Sequence, residues 1–249
     1  MIKSELHTRK YNHLLNWSFI MTKTTTKLFF IVIAILLSIA SPASANSFIP
    51  HWSVDIGYVE LAPNDESSEI SGPGLPPGNG VNVRSASTIV GSVAYHFSKN
   101  ISLQFYVAPP IAYDVDAAGS LDGVGKIAEV DVLLPTLFVN YTFDPILAKV
   151  KPYIGIGLNY TTFLSESPTP VLNGAFGGET DIKADDSFGV ALQAGLGIDL
   201  NEKWYLNVGY VAIDVDSTVE LTTEAVGTFR TVDIDIDPSG GYLRVGYRF

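Results

Sequence analysis

Apolar and polar residues alternate with a period of two in eight separate segments of the chain, and this alternation predicts β-strands with one apolar face. The first predicted strand runs near Trp52 to Leu61, and the second runs near Ser87 to Phe97. The other six carry their apolar faces within residues 101–107, 137–143, 154–160, 188–198, 204–210 and 243–249. Beyond the N-terminal region no apolar run is long enough for a transmembrane helix, so the apolar residues belong to strands.

Short and long connections between these segments alternate strictly. Short turns follow the second, fourth and sixth predicted strands, at residues 98–100, 144–145 and 201–203. Long polar loops follow the other strands, at residues 63–80, 114–126, 166–183 and 220–228. Up-and-down outer-membrane barrels combine short periplasmic turns with long extracellular loops. We therefore predict an all-β fold, an eight-stranded antiparallel transmembrane β-barrel. A soluble β-barrel, which would bury its apolar face, is the alternative.

The last predicted strand ends on an aromatic residue, Phe249, in register with the apolar positions Leu243, Val245 and Tyr247. This ending is typical of the closing strand of a transmembrane barrel, whose outward residues meet lipid and whose inward residues meet the lumen. We expect the barrel-assembly machinery to bind Phe249 at the periplasmic end. Aromatic residues near the short turns are expected to form an interfacial girdle. They are Tyr95, Phe97, Tyr141, Phe143, Tyr153 and Trp204.

An export signal precedes the barrel. The apolar run Leu28–Ile39 follows basic residues and is followed by Ala43-Ser44-Ala45, a small-residue cleavage site. We predict that residues 1–45 are a signal peptide region, with Met21 as the start codon and cleavage after Ala45. Residues 46–249 are then the barrel, located in the outer membrane of a Gram-negative bacterium.

The charge of the mature chain argues against nucleic acid as a partner. Residues 1–45 hold five of the 15 basic residues and one of the 26 acidic residues, so the mature chain carries a net charge of −15. Such a chain repels phosphate backbones. The absence of cysteine rules out disulfides and thiolate metal sites. We expect no cofactor and no bound metal.

The inward-facing positions change in character along the predicted barrel. Toward the short turns they are mostly polar, namely Gln104, Asn140, Thr142, Asn159, Gln193, Asn207, Arg244 and Arg248. Toward the long loops they are apolar, and we expect them to line a channel: Val90, Val132, Leu134, Phe138, Val211 and Ile213. An eight-stranded barrel is filled by side chains or holds one slim ligand. The gradient indicates an apolar outer pocket above a polar plug, and simple interior packing explains it equally well.

A proline interrupts the fourth predicted strand. Pro135 cannot donate a hydrogen bond to the ladder. We therefore predict a break in the barrel wall at Pro135, either as a bulge or as a small lateral gap. The alternative is that Pro135 lies just above the hydrocarbon, where water satisfies its neighbours.

Acidic residues break the parity of the last strand. Asp233, Asp235 and Asp237 share the odd parity of the lipid-facing residues, so either a bulge near residues 237–241 changes the register or these carboxylates lie above the membrane. Asp214 and Asp216 reach a similar height. Together these groups could bind a divalent cation through oxygen ligands, and a solvated acidic rim is the favoured interpretation.

Several segments resemble the outer membrane protein W (OmpW) family. They are Pro152–Phe163, Ala212–Thr218, the ending Gly246–Phe249, and Leu134–Leu137, which is similar to a proline-bearing fourth strand of that family. The specific resemblance covers roughly residues 133–249, and the first half is similar only in its strand pattern. Where the family often has two prolines the chain has Leu134-Pro135, and Ser239 stands where the family has an aromatic residue.

The resemblance implies an eight-stranded barrel with a narrow, apolar upper channel. It further implies passage of small hydrophobic molecules, including alkanes in the alkane-uptake relatives, with exit sideways through the wall into the membrane.

Three classes of function compete. The first is a passive conduit for small hydrophobic molecules, which we favour, with possible lateral release into the membrane. The second is a structural, adhesive or receptor barrel that acts through its extracellular loops. The third is a membrane enzyme, whose site would require a histidine with a serine and a carboxylate. The mature chain has only His51 and His96, neither in an obvious arrangement of this kind, so we predict that it is not an enzyme.

Overall fold

A computed structural model describes residues 51–63, 66–67, 69–72, 74–147 and 149–249. The predicted signal peptide region lies outside these ranges. Within them the chain forms fifteen strands and a seven-residue α-helix, α1 (Pro170–Phe176). The strands are β1 (Trp52–Leu61), β2 (Glu66–Ser67), β3 (Asn79–Val83), β4 (Ala86–His96), β5 (Ile101–Val107), β6 (Ile111–Gly119), β7 (Lys126–Leu133), β8 (Thr136–Thr142), β9 (Val150–Pro168), β10 (Thr180–Ala184), β11 (Ser187–Asp199), β12 (Trp204–Ile213), β13 (Asp216–Thr223), β14 (Thr228–Asp235) and β15 (Ser239–Arg248). No helix among the described residues is both long and apolar enough to cross a membrane.

Eight of these strands close into a barrel. Their order around the wall is β11, β12, β15, β1, β4, β5, β8 and β9, and β9 pairs back onto β11. Every pairing is antiparallel. These strands match the eight predicted ones, so the prediction of an eight-stranded antiparallel barrel is confirmed. The short turns predicted after the second, fourth and sixth strands join β4 to β5, β8 to β9 and β11 to β12.

The outer surface of the barrel is apolar. Large apolar side chains are exposed at alternate wall positions, among them Ile56, Ile89, Leu137, Ile156, Leu192 and Leu243. An apolar surface of this extent marks a membrane interface, because water would hydrate it unfavourably. The alternative of a soluble barrel is therefore wrong.

The aromatic girdle is present, with one correction. Predicted girdle residues that are exposed near the short turns are Phe97, Tyr141, Phe143 and Trp204, and Trp52 joins them. The predicted Tyr95 is half-buried there, because its ring contacts those of Trp52 and Phe97. Tyr153 is not part of this girdle, because it faces the lumen and is only 7% exposed. Its hydroxyl lies 2.7 Å from that of Tyr242. Tyr153 and the exposed Ile154 are consecutive residues of one strand, and consecutive side chains point to opposite faces.

The four long loops are more ordered than the sequence predicted. Strands β10, β13, β14 and β2 form a second antiparallel sheet, and β3, β6 and β7 extend the wall above β9. Helix α1 begins after Thr169, whose hydroxyl accepts from the Leu172 amide at 3.4 Å, and ends at Gly177 in the left-handed conformation. A separate apolar core holds this region together; it includes Ile127, Leu172, Phe176, Ile182, Leu221, Val232 and Ile234.

The long connections were predicted only as polar loops, whereas in the structure much of each one belongs to strands, and several of these strands pair with distant parts of the chain. Residues 180–184, for example, pair with 219–223, and residues 126–133 pair with 162–168. Because the partners are far apart in the sequence, the period-two pattern of one segment does not show which segment it pairs with.

The parity problem of the acidic residues is solved by a break between two strands. β14 ends at Asp235 in the upper sheet, and β15 begins at Ser239 in the barrel wall. Between them Asp237 has a φ of 36°, a left-handed conformation that is uncommon outside glycine. Asp233 and Asp235 therefore lie above the barrel, and the change of register at Asp237 lets the following residues face lipid.

Candidate functional site

The lower half of the lumen is centred on a buried ion pair. Arg244 Nη1 lies 3.5 Å from Asp55 Oδ1, and both side chains are shielded from solvent. Asp55 also accepts from Ser92 Oγ at 2.8 Å and from Gln104 Nε2 at 3.1 Å. The guanidinium of Arg244 lies over the ring of Tyr106 at 4.6 Å. The charge of Asp55 is thus compensated on several sides, as burial of an ion requires.

Amides and hydroxyls extend this network across the barrel. Asn140 Nδ2 donates to Gln104 Oε1 at 2.8 Å, and Gln193 Nε2 donates to Asn140 Oδ1 at 2.7 Å. Gln193 Oε1 accepts from the hydroxyls of Tyr106 at 3.3 Å and Tyr242 at 3.2 Å. We call the set of these side chains the polar plug: Asp55, Ser92, Gln104, Tyr106, Asn140, Tyr153, Gln193, Tyr242 and Arg244. They come from strands all around the wall, so a solute moving along the axis would have to disrupt many hydrogen bonds.

An apolar cavity, the lower chamber, lies directly above the polar plug. Its empty volume is about 610 Å³, including its open mouth. Gln193, Tyr242 and Arg244 of the plug contribute to its lining. Five of the six predicted channel residues also line it, namely Val90, Leu134, Phe138, Val211 and Ile213. The structure therefore brings these five side chains together around one space.

A second apolar cavity, the upper chamber, is formed mainly by strands that rise above the barrel wall. Its empty volume, with the solvent space at its opening included, is about 550 Å³. Val132, the sixth predicted channel residue, lines this chamber and not the lower one, whereas Leu134 lines both. Its other lining residues include Tyr113, Val130, Phe163, Ile182 and Val219. The two chambers thus share Leu134 as a lining residue.

The barrel wall is interrupted beside the lower chamber. Pairing of β5 with β8 ends at Tyr106 and Thr136, and pairing of β6 with β7 starts again at Ile111 and Val132. Residues 107–110 and 133–135 between these points form no ladder pairs with each other, and we call this region the wall break. Pro109, Pro110 and Pro135 lie in it and have no amide hydrogen to donate.

The wall break extends to β4 but not to β9. On one side, β4 pairs with β5 only up to Gly91, and the described residues 86–90 pair with β1 alone. On the other side, the Pro135 carbonyl accepts from the Tyr160 amide at 3.1 Å, so the wall stays closed toward β9. Val107, Ala108, Pro109 and Leu134 line both the break and the lower chamber. The lower chamber therefore borders the wall break.

Several residues of this site were not predicted from the sequence. Asp55 and Tyr106 were not assigned to the lumen, although each has the inward parity of its strand. Pro109 and Pro110 could have been noticed in the sequence, because they form a proline pair directly after the third predicted strand. That they lie opposite Pro135 follows only from the way β5 and β8 pair.

The acidic residues form a rim at the extracellular side. Carboxylate oxygens of Asp214, Asp216 and Asp237 lie within 4.8 Å of one another, and Asp214 and Asp216 are exposed. Desolvation and the negative charges of Asp214, Asp235 and Asp237 raise the pKa of Asp216. Solvent exposure of these carboxylates agrees with a solvated rim.

A serine and a histidine come together at the opposite end of the lumen. Ser53 Oγ lies 2.9 Å from His96 Nε2, a contact that the sequence did not predict. The ionisable groups that act on His96 are Arg248 and His51, both basic. A nucleophile–base pair of the hydrolase type is completed by a third group, usually a carboxylate, that orients the histidine. The neighbourhood of His96 therefore differs from that of a catalytic triad.

Comparison with known proteins gives one consistent result. The family model of the OmpW family matches residues 51–249. Outer membrane protein W of Vibrio cholerae is 32% identical over 197 residues, which cover 79% of this chain and 87% of the relative. Outer membrane protein AlkL of Ectopseudomonas oleovorans is 28% identical over 201 residues, covering 80% and 82%.

A solved structure agrees with these matches. The crystal structure of the outer membrane protein OprG from Pseudomonas aeruginosa superposes with a TM-score of 0.71 at 28% identity. The match covers 80% of this chain and 95% of that protein. The chain belongs to the OmpW family and is an outer-membrane β-barrel of a Gram-negative bacterium.

Proposed function

We propose that the protein is a passive conduit for small hydrophobic molecules, which enter from outside the cell and leave sideways into the membrane. The observation that carries this proposal is the lower chamber, which is apolar, is bounded below by the polar plug and is lined in part by residues of the wall break. The route runs from the upper chamber past Leu134 into the lower chamber and out between residues 107–110 and 133–135.

The chemistry of the walls favours hydrophobic cargo. Each Å² of apolar surface that leaves water contributes about 25 cal/mol, so a slim hydrocarbon gains free energy on entering either chamber. An ion would lose its hydration and find few polar partners among the lining side chains. Below the chambers, the ion pair and amides of the polar plug are already hydrogen-bonded to one another, and an apolar molecule offers them no replacement.

The proposal is tested by uptake of n-octane into cells that lack other members of the family. Cells with the wild-type protein should take up n-octane faster than cells without it. Phe138→Asp and Ile213→Asp place a charge in the lower chamber and should lower uptake to the level without protein. Ser120→Asp, on an exposed turn, is the control for an added charge. Equal uptake with and without the protein would rule out the conduit.

Lateral release has its own test. Replacing Pro109, Pro110 and Pro135 by alanine restores three amide donors, which favours ladder pairing across the wall break. Uptake should then fall while the barrel stays folded. Pro145→Ala, in a turn at the opposite end, is the control. Unchanged uptake in the triple variant would favour exit along the barrel axis.

The second candidate function is adhesion or receptor activity through the extracellular region. The ordered upper sheet favours it, because it presents the exposed apolar residues Val226 and Phe229 at the tip of the β13–β14 hairpin. Substituting both by serine should abolish surface adhesion if this sheet binds a partner. Loss of adhesion with unchanged n-octane uptake would favour this function over the conduit.

A further inference from the structure

The upper sheet, which consists of β10, β13, β14 and β2, has one buried and one exposed face. From the buried face Ile182, Leu221 and Val232 point into the separate apolar core of this region. Consecutive residues of a strand point to opposite faces, so the residues next to these belong to the exposed face, which we call the outer face. The outer face consists of Asp181 and Lys183 on β10, Asp216, Thr218, Glu220 and Thr222 on β13, and Phe229, Thr231, Asp233 and Asp235 on β14.

The outer face is strongly acidic. Its basic residue is Lys183, and its acidic residues, all exposed, are Asp181, Asp216, Glu220, Asp233 and Asp235. Desolvation and the negative charges of neighbouring carboxylates raise the pKa of Asp216, so these groups repel one another. A bound cation would relieve this repulsion, whereas a phosphate or sulfate group would add to it. The face therefore favours a positively charged partner.

An aromatic side chain stands among these polar groups. Phe229 is 53% exposed, and it lies opposite Thr222 in the ladder of β13 and β14. Exposed aromatic rings are common anchors of protein interfaces, and the face of a ring attracts lysine and arginine side chains. Phe229 therefore provides an apolar contact for a cationic partner, which the carboxylates alone do not.

The carboxylates nearest to Phe229 lie within reach of a side chain that packs on its ring. Thr222 pairs with Phe229 on one side and with Asp181 on the other, which places Asp181 about 10 Å from Phe229. Glu220 is the diagonal neighbour of Phe229, at about 7 Å. A lysine or arginine side chain can pack its apolar stem on an apolar surface while its charged end stays in water. One such side chain can therefore contact both the ring and a carboxylate.

We propose that the outer face binds a cationic peptide segment, whose lysine or arginine side chains pack on Phe229 and place their charged ends at Glu220 and Asp181. This inference rests on the second candidate function, a receptor or adhesive role of the upper sheet, and specifies the class of its partner. It is independent of the conduit, because none of these residues lines the lower or the upper chamber.

The test is the binding of a fluorescent peptide of alternating lysine and serine to the purified barrel in phosphatidylcholine nanodiscs, corrected for empty nanodiscs. Phe229→Ser removes the ring, and Asp181→Asn with Glu220→Gln removes the two nearest charges. A second peptide, with glutamate in place of lysine, tests the sign of the charge. Urea unfolding of each variant checks that it remains folded.

The matched controls are substitutions at exposed turns outside the upper sheet. Val124→Ser, in the turn between β6 and β7, removes an apolar side chain that is 41% exposed. Asp122→Asn with Asp144→Asn removes two exposed carboxylates, so its net charge equals that of the double variant of the outer face. Both controls should bind the lysine peptide like the wild type.

Phe229→Ser should lower the affinity for the lysine peptide about threefold to tenfold, because the contact of the cation and its stem with the ring is lost. The double charge variant should lower it about threefold to tenfold as well, since each exposed ion pair is weak by itself. Raising the salt concentration from about 0.02 M to about 0.5 M shortens the screening length and should weaken binding to the wild type more than binding to the double charge variant.

Equal affinity of the wild type and both outer-face variants for the lysine peptide would overturn this inference, and so would equal binding of the glutamate peptide. Surface adhesion that depends on Val226 and Phe229, without any binding of the lysine peptide, would overturn the cationic partner and keep the second candidate function. If substituting both residues by serine changes neither adhesion nor peptide binding, the second candidate function and this inference fail together.

Discussion

Removing the cation of the polar plug should destabilise the barrel strongly, and removing its partner as well should restore part of the loss. Arg244 is 1% exposed, pairs with Asp55 at 3.5 Å and donates from Nη2 to the Tyr153 hydroxyl at 3.3 Å. The substitution Arg244→Met keeps much of the side-chain volume and leaves the carboxylate of Asp55 buried without its counter-ion.

The size of the effect follows from the geometry. Two unit charges at this separation attract by about 5 kcal/mol at an effective dielectric constant of about 20, and breaking a buried ion pair costs about 3–5 kcal/mol. Asp55 keeps its hydrogen bonds from Ser92 and Gln104. We therefore expect the free energy of unfolding to fall by about 3 kcal/mol, the lower end of that range. In the double variant Asp55→Asn, Arg244→Met no charge is stranded, and the loss should be about 2 kcal/mol smaller than the sum of the two single losses.

The assay is urea unfolding of the barrel in lipid vesicles, followed by the fluorescence of Trp52 and Trp204, which are both on the outer surface. All four proteins of the double-mutant cycle are measured under the same conditions. Lys99→Met, which removes an exposed cation paired with Asp144, is the control and should change stability by less than about 1 kcal/mol. Additive losses in the cycle would refute the reasoning, because they would mean that Asp55 does not depend on Arg244.

Three further predictions concern the closing strand and the acidic rim. Gly240→Ala should lower the free energy of unfolding in urea by about 3 kcal/mol or more, because the new Cβ would lie 1.7 Å from the Glu60 carbonyl oxygen. The control Gly241→Ala should be tolerated, because the atom nearest to its new Cβ lies 3.9 Å away. Asp216→Asn should raise stability by about 0.3 kcal/mol at pH 7, a small value because the residue is exposed, and this gain should vanish at pH 3. Phe249→Ala should reduce the amount of folded protein in the outer membrane of cells, while the refolded barrel loses only about 1 kcal/mol from the contact of Phe249 with the Tyr247 ring.

The sign of the pH effect follows from the raised pKa of Asp216, which is caused by desolvation and by neighbouring carboxylates. The folded protein holds this proton more tightly than the unfolded chain, so the carboxylate is unfavourable above its raised pKa and harmless once protonated. A gain that persists at pH 3 would contradict this explanation. Equal stability of the Gly240 and Gly241 variants would contradict the close approach of β15 to β1. Normal assembly of Phe249→Ala in cells would show that the assembly machinery does not require this residue.

The barrel was predictable because a closed wall has only two faces. Period-two alternation assigns each residue to one face, and residues such as Gln104, Asn140 and Phe138 are buried in the lumen as expected. The chamber positions followed from the same rule. The rule was applied wrongly to Tyr153, which was grouped with the girdle by its position near a turn rather than by its parity.

The extracellular region was not predictable in the same way. Its buried residues Ile127, Ile182, Leu221 and Val232 come from four separate segments. Their apolar side chains form a core only after the segments have paired, and local periodicity does not encode which segments pair.

The sequence by itself determined that this protein is an eight-stranded outer-membrane barrel with a polar lower lumen and an apolar upper lumen, since strand period, turn spacing and parity are local properties. Only the tertiary structure decided that Pro109, Pro110 and Pro135 lie in one interruption of the wall and that Asp55 and Arg244 pair. The physical reason is that each of these features joins residues of different strands. Their relative positions depend on ladder register and on breaks in it, which are set by the packing of the whole barrel.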